Sequence, residues 1–188
     1  MFIITQNEFF ALGIILCLYF KRSLLISIIT DKKIEDKINE LIKLIFIIYI
    51  AGIASKVYFP LIIAWGDYVN FRPPIIRLDP IYSVWIIFKE GGIRSVIYNL
   101  GGNLLLLMPM GAFIYHYFRK KVNSIKKVAL IVFLISLFIE GTQIILSLVF
   151  PNVCRFFEIN DLMLNTVGGV LGYKAAFKVF GSLLISKR

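Results

Sequence analysis

Five long apolar runs follow one another along the chain, separated by shorter polar segments. Four of them cover residues 41–63, 95–118, 128–149 and 161–180, and the first extends from residue 2 or 9 to residue 20, or on to residue 29. A helix rises about 1.5 Å per residue, so roughly 20 apolar residues cross a hydrocarbon core about 30 Å thick. The pattern therefore predicts an all-α protein, a polytopic membrane helix bundle of about five transmembrane helices.

The composition excludes an ordinary soluble domain. Hydrophobic residues make up 59% of the 188 residues and charged residues 17%, whereas soluble domains are about 45–50% apolar and about 25% charged. We predict an amino-terminal transmembrane segment with a cytoplasmic linker over residues 1–40, one membrane domain over 41–180 and a basic cytoplasmic tail over 181–188. A cleavable signal peptide is not expected, because Lys21 and Arg22 follow the first apolar run instead of preceding it.

The net charge of +10 is unevenly distributed along the chain. The loop between the third and fourth runs holds five basic residues and no acid: Arg119, Lys120, Lys121, Lys126 and Lys127. Cytoplasmic loops carry such an excess, which predicts that this loop and the carboxyl terminus lie inside and the amino terminus outside. The two predicted outer loops, 64–94 and 150–161, hold as many acidic as basic residues. Membrane orientation thus explains the basic excess, and no nucleic-acid partner is expected.

Three of the predicted spans carry polar side chains at helical spacing, each set on one helix face. The third has Asn99 and Asn103, the fourth has Ser136, Glu140, Gln143 and Ser147, and the fifth has Asp161 and Asn165. At about 1.5 Å per residue, Glu140 lies roughly 14 Å from the outer end of its span, near the midplane. Asn103 and Asn165 lie nearer the same end. We expect these groups to meet in the outer half of one bundle.

Two interpretations of this polar cluster stay open. Amides and hydroxyls often join transmembrane helices by hydrogen bonds, and in that case the cluster is structural. An acid at the depth of Glu140 must be protonated, paired or hydrated, and the amides around it suit a neutral acid. Glu140 and Asp161 are therefore also the candidate catalytic residues, as acid and base, of an intramembrane enzyme.

The outer loop before the fifth span contributes Arg155, Glu158 and Asp161 within seven residues. Arg155 either pairs with one of these acids or holds a phosphate or carboxylate group at the membrane surface. Arg72 and Arg77, in and beside a Pro-rich stretch, suit the same purpose. An interfacial aromatic belt is predicted around that stretch, formed by Trp65, Tyr68, Tyr82 and Trp85.

Small residues and proline predict how the spans pack. Pro109 inside the third span predicts a kink, because proline removes a helical hydrogen bond. Gly168 and Gly172 form a small-xxx-small pair that permits close helix approach. Neither a metal nor another cofactor is expected, and no serine–histidine–acid triad, since the sole histidine, His116, lies at the end of its span opposite the polar cluster.

The polar residues also follow the pattern of a known family. An Asn followed by an apolar run that ends in Pro-x-Gly occurs here as Asn103, Pro109 and Gly111. A Ser-Leu-x-Ile-Glu-x-x-Gln block occurs as Ser136, Leu137, Ile139, Glu140 and Gln143. A third block occurs as Arg155, Phe157, Glu158, Asp161, Leu162, Asn165, Thr166, Gly168 and Gly169. In these blocks the chain resembles the VanZ-like membrane proteins over residues 41–178, with Glu158 standing where the family has Asp.

The resemblance implies a protein of the bacterial cytoplasmic membrane that lowers susceptibility to teicoplanin-type lipoglycopeptides, and it implies no settled reaction. Together with the polar cluster, it favours a non-enzymatic factor that binds a membrane lipid, a lipid-linked cell-wall precursor or the antibiotic at the outer leaflet. The predicted binding residues are Asn99, Asn103, Glu140, Gln143, Arg155, Glu158, Asp161 and Asn165. An intramembrane enzyme acting on an envelope lipid is the alternative. A small-solute transporter is the second alternative, disfavoured because no polar path continues through the inner half.

Overall fold

The computed structural model describes residues 1–20, 34–63, 69–150 and 152–185. Over these residues the chain forms six helices: α1 (Gln6–Phe20), α2 (Ile34–Tyr58), α3 (Pro80–Leu106), α4 (Met108–Phe118), α5 (Ile125–Val149) and α6 (Ile159–Ile185). It also forms four strands of three residues each: β1 (Phe2–Ile4), β2 (Leu61–Ile63), β3 (Ile75–Arg77) and β4 (Phe156–Glu158). The predicted all-α helix bundle is confirmed, because the strands form no more than two short ladders in these ranges.

Helices lie at all five places where the sequence predicts a transmembrane span. Three stretches of the described residues are long and apolar enough to cross a membrane: Lys37–Tyr58, Pro80–Phe118 and Ile125–Val149. The other two predicted spans correspond to α1, of 15 residues, and α6, of 27 residues. The predicted extension of the first span beyond residue 20 lies outside the described residues, as do Trp65 and Tyr68 of the predicted aromatic belt.

Two helix ends differ from the prediction. α2 ends at Tyr58, before the predicted limit of the second span at residue 63. The reason is Pro60, which has no backbone N–H and disfavours helical geometry in the residue before it. α6 continues through Ile185, so the predicted tail at 181–188 begins inside a helix, and residues 186–188 lie outside the described ranges. The predicted domain limit at residue 40 falls inside α2.

The chain divides into two compact units, Met1–Asn70 and Phe71–Arg188. In the first unit α1 packs against α2, and β1 pairs antiparallel with β2. The ring of Phe9 stacks on that of Phe59 with their centroids 4.1 Å apart. The Gln6 side-chain amide donates to the Phe59 carbonyl oxygen over 2.9 Å. These contacts join the start of α1 to the end of α2.

α6 is the central helix of the second unit and packs against α3, α4 and α5. Two of its glycines make this approach possible. A Cβ atom at Gly168 would lie 1.9 Å from the carbonyl oxygen of Leu104 on α3, and one at Gly172 would lie 1.8 Å from that of Met108 on α4. No side chain fits at such distances from a backbone oxygen, so the close approach predicted from this small-residue pair is confirmed.

The predicted kink at Pro109 is also confirmed. α3 ends at Leu106 and α4 begins at Met108, with Leu107 between them at φ −101° and ψ 6°. Proline fits the first turn of the new helix, where its missing N–H costs nothing. The side chain of Leu107 is fully buried, so the break is filled by packing.

α3 begins at Pro80, well before the predicted third span. The Asp79 side chain accepts hydrogen bonds from the backbone N–H groups of Ile81 and Tyr82 over 2.9 and 3.0 Å, which caps the helix start. The helix is interrupted at Gly92, whose φ of 66° and ψ of −170° favour glycine. The prediction of a loop throughout 64–94 is therefore wrong for residues 80–91, which form a helical segment ahead of the break.

Candidate functional site

Two segments far apart in sequence meet at one end of the second unit. β3 pairs with β4 in parallel, with Ile75 opposite Phe156 and Arg77 opposite Glu158. The Ile75 backbone N–H donates to the carbonyl oxygen of Arg155 over 3.1 Å. This ladder holds the segment that precedes α3 beside the segment that precedes α6, and it forms one wall of the candidate site.

Arg77 and Glu158 form an ion pair across this ladder. Arg77 Nη1 lies 2.8 Å from Glu158 Oε1, and both side chains are largely shielded from solvent. The guanidinium group of Arg77 also lies over the ring of Phe156, 4.5 Å from its centroid. The salt-bridge partner of Glu158 is therefore Arg77, which the sequence indicates only as a residue that binds an anionic ligand.

The start of α6 is tied to α3 by two carboxamides. The Asn103 side chain donates a short hydrogen bond to Asp161 Oδ1. The Asn160 side chain donates to the carbonyl oxygen of Pro80 over 2.9 Å. The first of these bonds joins two of the predicted site residues. The polar faces of α3 and α6 therefore meet at this point, as the sequence predicts.

Glu140 on α5 is 3% exposed and faces the loop before α6. The backbone N–H of Glu158 donates a hydrogen bond to its carboxyl group. Its second oxygen, Oε2, is buried and finds no hydrogen-bond partner among the described residues. A buried oxygen without a hydrogen-bond partner is costly, and it costs more on a charged carboxylate than on a neutral carboxylic acid.

Other polar side chains connect the helices to one another and to the loop before α6. The Asn165 side chain, on α6, donates to Ser136 Oγ on α5 over 2.9 Å, and both residues are buried. Ser147 Oγ, near the end of α5, accepts from the backbone N–H of Arg155 over 2.8 Å. These bonds join two helices and a loop, as expected of amides and hydroxyls that connect helices in a membrane.

A cavity of about 380 Å³ opens among the polar groups. Six of the eight predicted binding residues line it: Asn99, Asn103, Gln143, Arg155, Glu158 and Asp161. Glu140 and Asn165, which are both buried, are not among the lining residues. The structure thus places six of the predicted residues around one cavity and the other two in the packed interior.

Six residues that line the cavity are absent from the predicted binding set: Arg77, Ile87, Glu90, Leu100, Cys154 and Phe156. Arg77, which the sequence indicates beside Arg72 as an anion-binding residue, enters through the ladder together with Phe156. Ile87 and Glu90 come from the helical segment that precedes Gly92. The alternation of charged and apolar residues in 75–90 contains no spacing that links it to the polar faces of the later spans, so the sequence signal for Ile87 and Glu90 is weak.

The cavity wall carries both signs of charge. Arg77 and Arg155 contribute guanidinium groups, and Glu90, Glu158 and Asp161 contribute carboxyl groups. Burial lowers the pKa of the Arg155 guanidinium, although an arginine remains cationic at neutral pH. Such a wall suits a ligand with an anionic group and hydrogen-bonding groups. Among the described residues, no cluster of three or more histidine, cysteine or acidic side chains is arranged to hold a metal ion.

A comparison with protein-family models gives a match. A protein-family model described as VanZ/LLP1 is similar to this chain over residues 46–181, which include every residue that lines the cavity. No curated protein matches the chain. No solved structure matches it either.

Proposed function

Because the chain belongs to the VanZ/LLP1 family, we propose that it is a multi-pass protein of the bacterial cytoplasmic membrane that lowers susceptibility to teicoplanin-type lipoglycopeptides. In this proposal it acts without catalysis, by binding a lipid-linked envelope component or the drug itself at the outer leaflet. The observation that carries the proposal is the mixed-charge cavity of about 380 Å³ at one end of the second unit.

The lining of the cavity supports a polar headgroup as the ligand. Arginine presents a planar fork of donors that matches phosphate and carboxylate oxygens, and Arg155 lies in the wall beside the ladder. The carboxamides of Asn99 and Gln143 offer both donors and acceptors, which suit the hydroxyl and amide groups of a sugar or peptide. A lipid-linked precursor and a lipoglycopeptide both combine such groups with a hydrocarbon chain.

The direction of the helices supports an outward-facing site. α4 leads into the basic loop at 119–127, and α5 runs from that loop to the cavity. The basic loop belongs in the cytoplasm by the distribution of lysine and arginine. The cavity lies at the opposite end of the same helices, which corresponds to the outer leaflet.

An intramembrane enzyme that modifies an envelope lipid is the second candidate. The observation in its favour is the pair of acids Glu140 and Asp161, one with a buried oxygen that has no hydrogen-bond partner in the described chain and the other at the cavity wall. In that case Glu140 and Asp161 would act as acid and base. The position of Glu140 away from the cavity lining favours the non-enzymatic proposal.

The test compares drug susceptibility in a susceptible Gram-positive host. Wild type, Arg155→Lys and Arg119→Lys would be expressed at matched levels, and teicoplanin and vancomycin inhibitory concentrations measured side by side. Arg119→Lys is the matched control, because it makes the same change at the opposite end of the unit, away from the cavity. The guanidinium of Arg119 lies there 5.6 Å from the ring centroid of Tyr115.

We expect wild type to protect against teicoplanin more than against vancomycin, because only teicoplanin carries a fatty acyl chain. Lysine cannot reproduce the bidentate fork of arginine, so Arg155→Lys should lose this protection while the protein level stays normal, and Arg119→Lys should retain it. Equal protection against both drugs by wild type would rule out selection by the acyl chain. Full protection by Arg155→Lys would rule out an anion grip by Arg155.

A further inference from the structure

The stretch Pro80–Phe118 is too long to be a single crossing of a membrane. Its 39 residues are helical apart from two breaks, and its charged residues, Lys89, Glu90 and Arg94, lie close to the first break. As a straight helix they would extend about 58 Å, close to twice the thickness of a hydrocarbon core of about 30 Å. Part of this stretch must therefore lie elsewhere than across the bilayer.

The break at Gly92 divides the stretch into two parts of different length. Residues 93–118 would extend about 39 Å, which is enough to cross the core, whereas residues 80–91 would extend about 18 Å, which is not. Gly92 has a φ of 66°, which lets the chain change direction between the two parts. The segment 80–91 therefore does not have to lie across the bilayer.

One face of the segment 80–91 is apolar, aromatic and exposed. Ile81, Tyr82, Trp85 and Phe88 expose between 47% and 81% of their surface. At about 100° per residue these four positions fall within a sector of about 120°. Ile93 and Ile97, past the break, are exposed as well. Large apolar side chains gathered and exposed on one face mark an interaction site.

The other face of the segment belongs to the protein. Ser83 is fully buried, and Ile87 and Glu90 line the cavity described above. Positions 83, 87 and 90 lie on the side of the helix opposite the exposed aromatic face. The segment therefore has two distinct sides, one in contact with the cavity and one uncovered.

We infer that residues 80–91 form an interfacial helix whose aromatic face docks on the lipid surface of the outer leaflet, at the boundary between headgroups and acyl chains. Tyrosine and tryptophan are favoured at this depth because their rings are apolar and their polar atoms reach water. Lys89 is exposed and lies within the same sector, between Trp85 and Tyr82, and a lysine there extends its ammonium group from the apolar face to lipid phosphates. The occupant of this surface is lipid.

The interfacial helix gives the cavity an entrance at the bilayer surface. Because one side of the helix docks on lipid and the other forms a cavity wall, a ligand anchored by an acyl chain reaches the cavity without leaving the membrane. Docking of the helix on lipid does not depend on which ligand the cavity binds, whereas its assignment to the outer leaflet rests on the orientation given under the proposed function.

The first test uses the intrinsic fluorescence of Trp85. The chain has two tryptophans, so Trp65→Phe leaves Trp85 as the sole reporter. The variant would be reconstituted in vesicles of zwitterionic and anionic phospholipids, with bromine atoms placed either near the glycerol backbone or near the ends of the acyl chains. We expect the larger loss of Trp85 emission from bromines near the glycerol backbone, and little loss from acrylamide in the water phase.

Three results would overturn the inference. Strong quenching by acrylamide without quenching by brominated lipid would place the helix in water. Stronger quenching by bromines at the chain ends would place it in the bilayer interior. Protection from both quenchers would mean that a second protein surface covers the aromatic face.

A second measurement compares two exposed positions on opposite faces of the interfacial helix. Ile81→Cys and Glu90→Cys, each in a Cys17→Ser, Cys154→Ser background, would carry a nitroxide spin label. We expect the label at position 81 to collide mainly with oxygen, which concentrates in lipid, and the label at position 90 to collide mainly with a water-soluble nickel complex. The same preference at both positions would contradict docking by one face.

Discussion

Arg77 and Glu158 face each other across the parallel ladder of β3 and β4, and their side chains form an ion pair with 2.8 Å between nitrogen and oxygen. The two residues are 81 positions apart in sequence. Their contact joins the segment before α3 to the segment before α6. One backbone ladder and one ion pair therefore hold the cavity wall together at the same two residues.

Removal of Arg77 should destabilise the second unit. Arg77→Gln leaves the shielded Glu158 carboxylate without its cation, and removal of one partner of a buried pair costs about 3–5 kcal/mol. The measurement is the free energy of unfolding in mixed detergent micelles, with Glu158→Gln and the double variant to complete a double-mutant cycle. The matched control is Lys43→Gln on α2, where Lys43 pairs with Glu40 over 2.7 Å but is about half exposed.

We expect the control substitution to change the free energy of unfolding by no more than about 1 kcal/mol, because exposed pairs contribute little. A cycle for Arg77 and Glu158 with no coupling energy would show that the ladder and the surrounding packing hold the wall without the ion pair.

A second prediction concerns the glycines of α6. Gly172→Ala places a Cβ atom where the Met108 carbonyl oxygen already lies, so α6 and α4 must separate, at a cost of about 1–3 kcal/mol. Gly141→Ala on α5 is the control, because its Cβ atom would meet no atom of another described element within 4 Å. We expect Gly172→Ala to lower the melting temperature in detergent and Gly141→Ala to leave it unchanged or raise it slightly. Equal melting temperatures for the two variants would argue against close packing at Gly172.

Helical periodicity predicted much of this structure. The spacing of Gly168 and Gly172 predicted close packing of α6, and Pro109 predicted the kink between α3 and α4. The 3.6-residue period also identified Asn103 and Asp161, which are hydrogen-bonded between two helices. Each of these features depends on the spacing of residues within one helix, and this spacing can be observed in a single sequence.

The rest depends on contacts between distant segments. Strands of three residues are too short to show a period of two, so the pairing of Arg77 with Glu158 has no signal in the sequence. The rotation of each helix about its axis decides which polar residues line the cavity, and packing against neighbours sets that rotation. Glu140 and Asn165 share helix faces with lining residues and nevertheless lie in the packed interior. The helix at 80–91 was missed because Asp79, Pro80 and Gly92 are also common in loops.

Substitution of Glu140 separates a structural role from proton transfer. Glu140→Gln preserves most of the hydrogen-bonding capacity of a neutral acid but exchanges no proton, whereas Glu140→Ala removes the acceptor for the Glu158 backbone N–H. We expect Glu140→Gln to retain expression and protection against teicoplanin, and Glu140→Ala to lower the amount of folded protein. A Glu140→Gln variant that is expressed normally and gives no protection would favour the enzymatic alternative instead.

The orientation in the membrane can be tested with thiol reagents that do not cross it. Cys154 lines the cavity, with its Sγ atom 3.7 Å from the Pro73 carbonyl oxygen, and should react in intact cells that carry Cys17→Ser. Lys121→Cys, in a background without other cysteines, should react only after the cells are permeabilised, because the excess of lysine and arginine predicts that this loop lies in the cytoplasm. Labelling of position 121 in intact cells would show that the topology is the reverse of the predicted one and that the cavity lies at the inner leaflet.

Binding of an amphiphile in the cavity is best examined by native mass spectrometry of the purified protein. Wild type, Arg155→Lys and Arg119→Lys would be extracted in a mild detergent from the same bacterial host, and the masses of retained small molecules measured at increasing detergent concentration. Fragmentation of the retained species would identify its headgroup and acyl chains.

We expect wild type and Arg119→Lys to retain one amphiphile per chain, with a phosphate or carboxylate in its headgroup, after bulk phospholipid is removed. Arg155→Lys should retain it roughly tenfold less, which corresponds to about 1.4 kcal/mol of binding free energy. Retention of no specific molecule by wild type, or equal retention by all three proteins, would contradict binding of a lipid-linked ligand at this cavity.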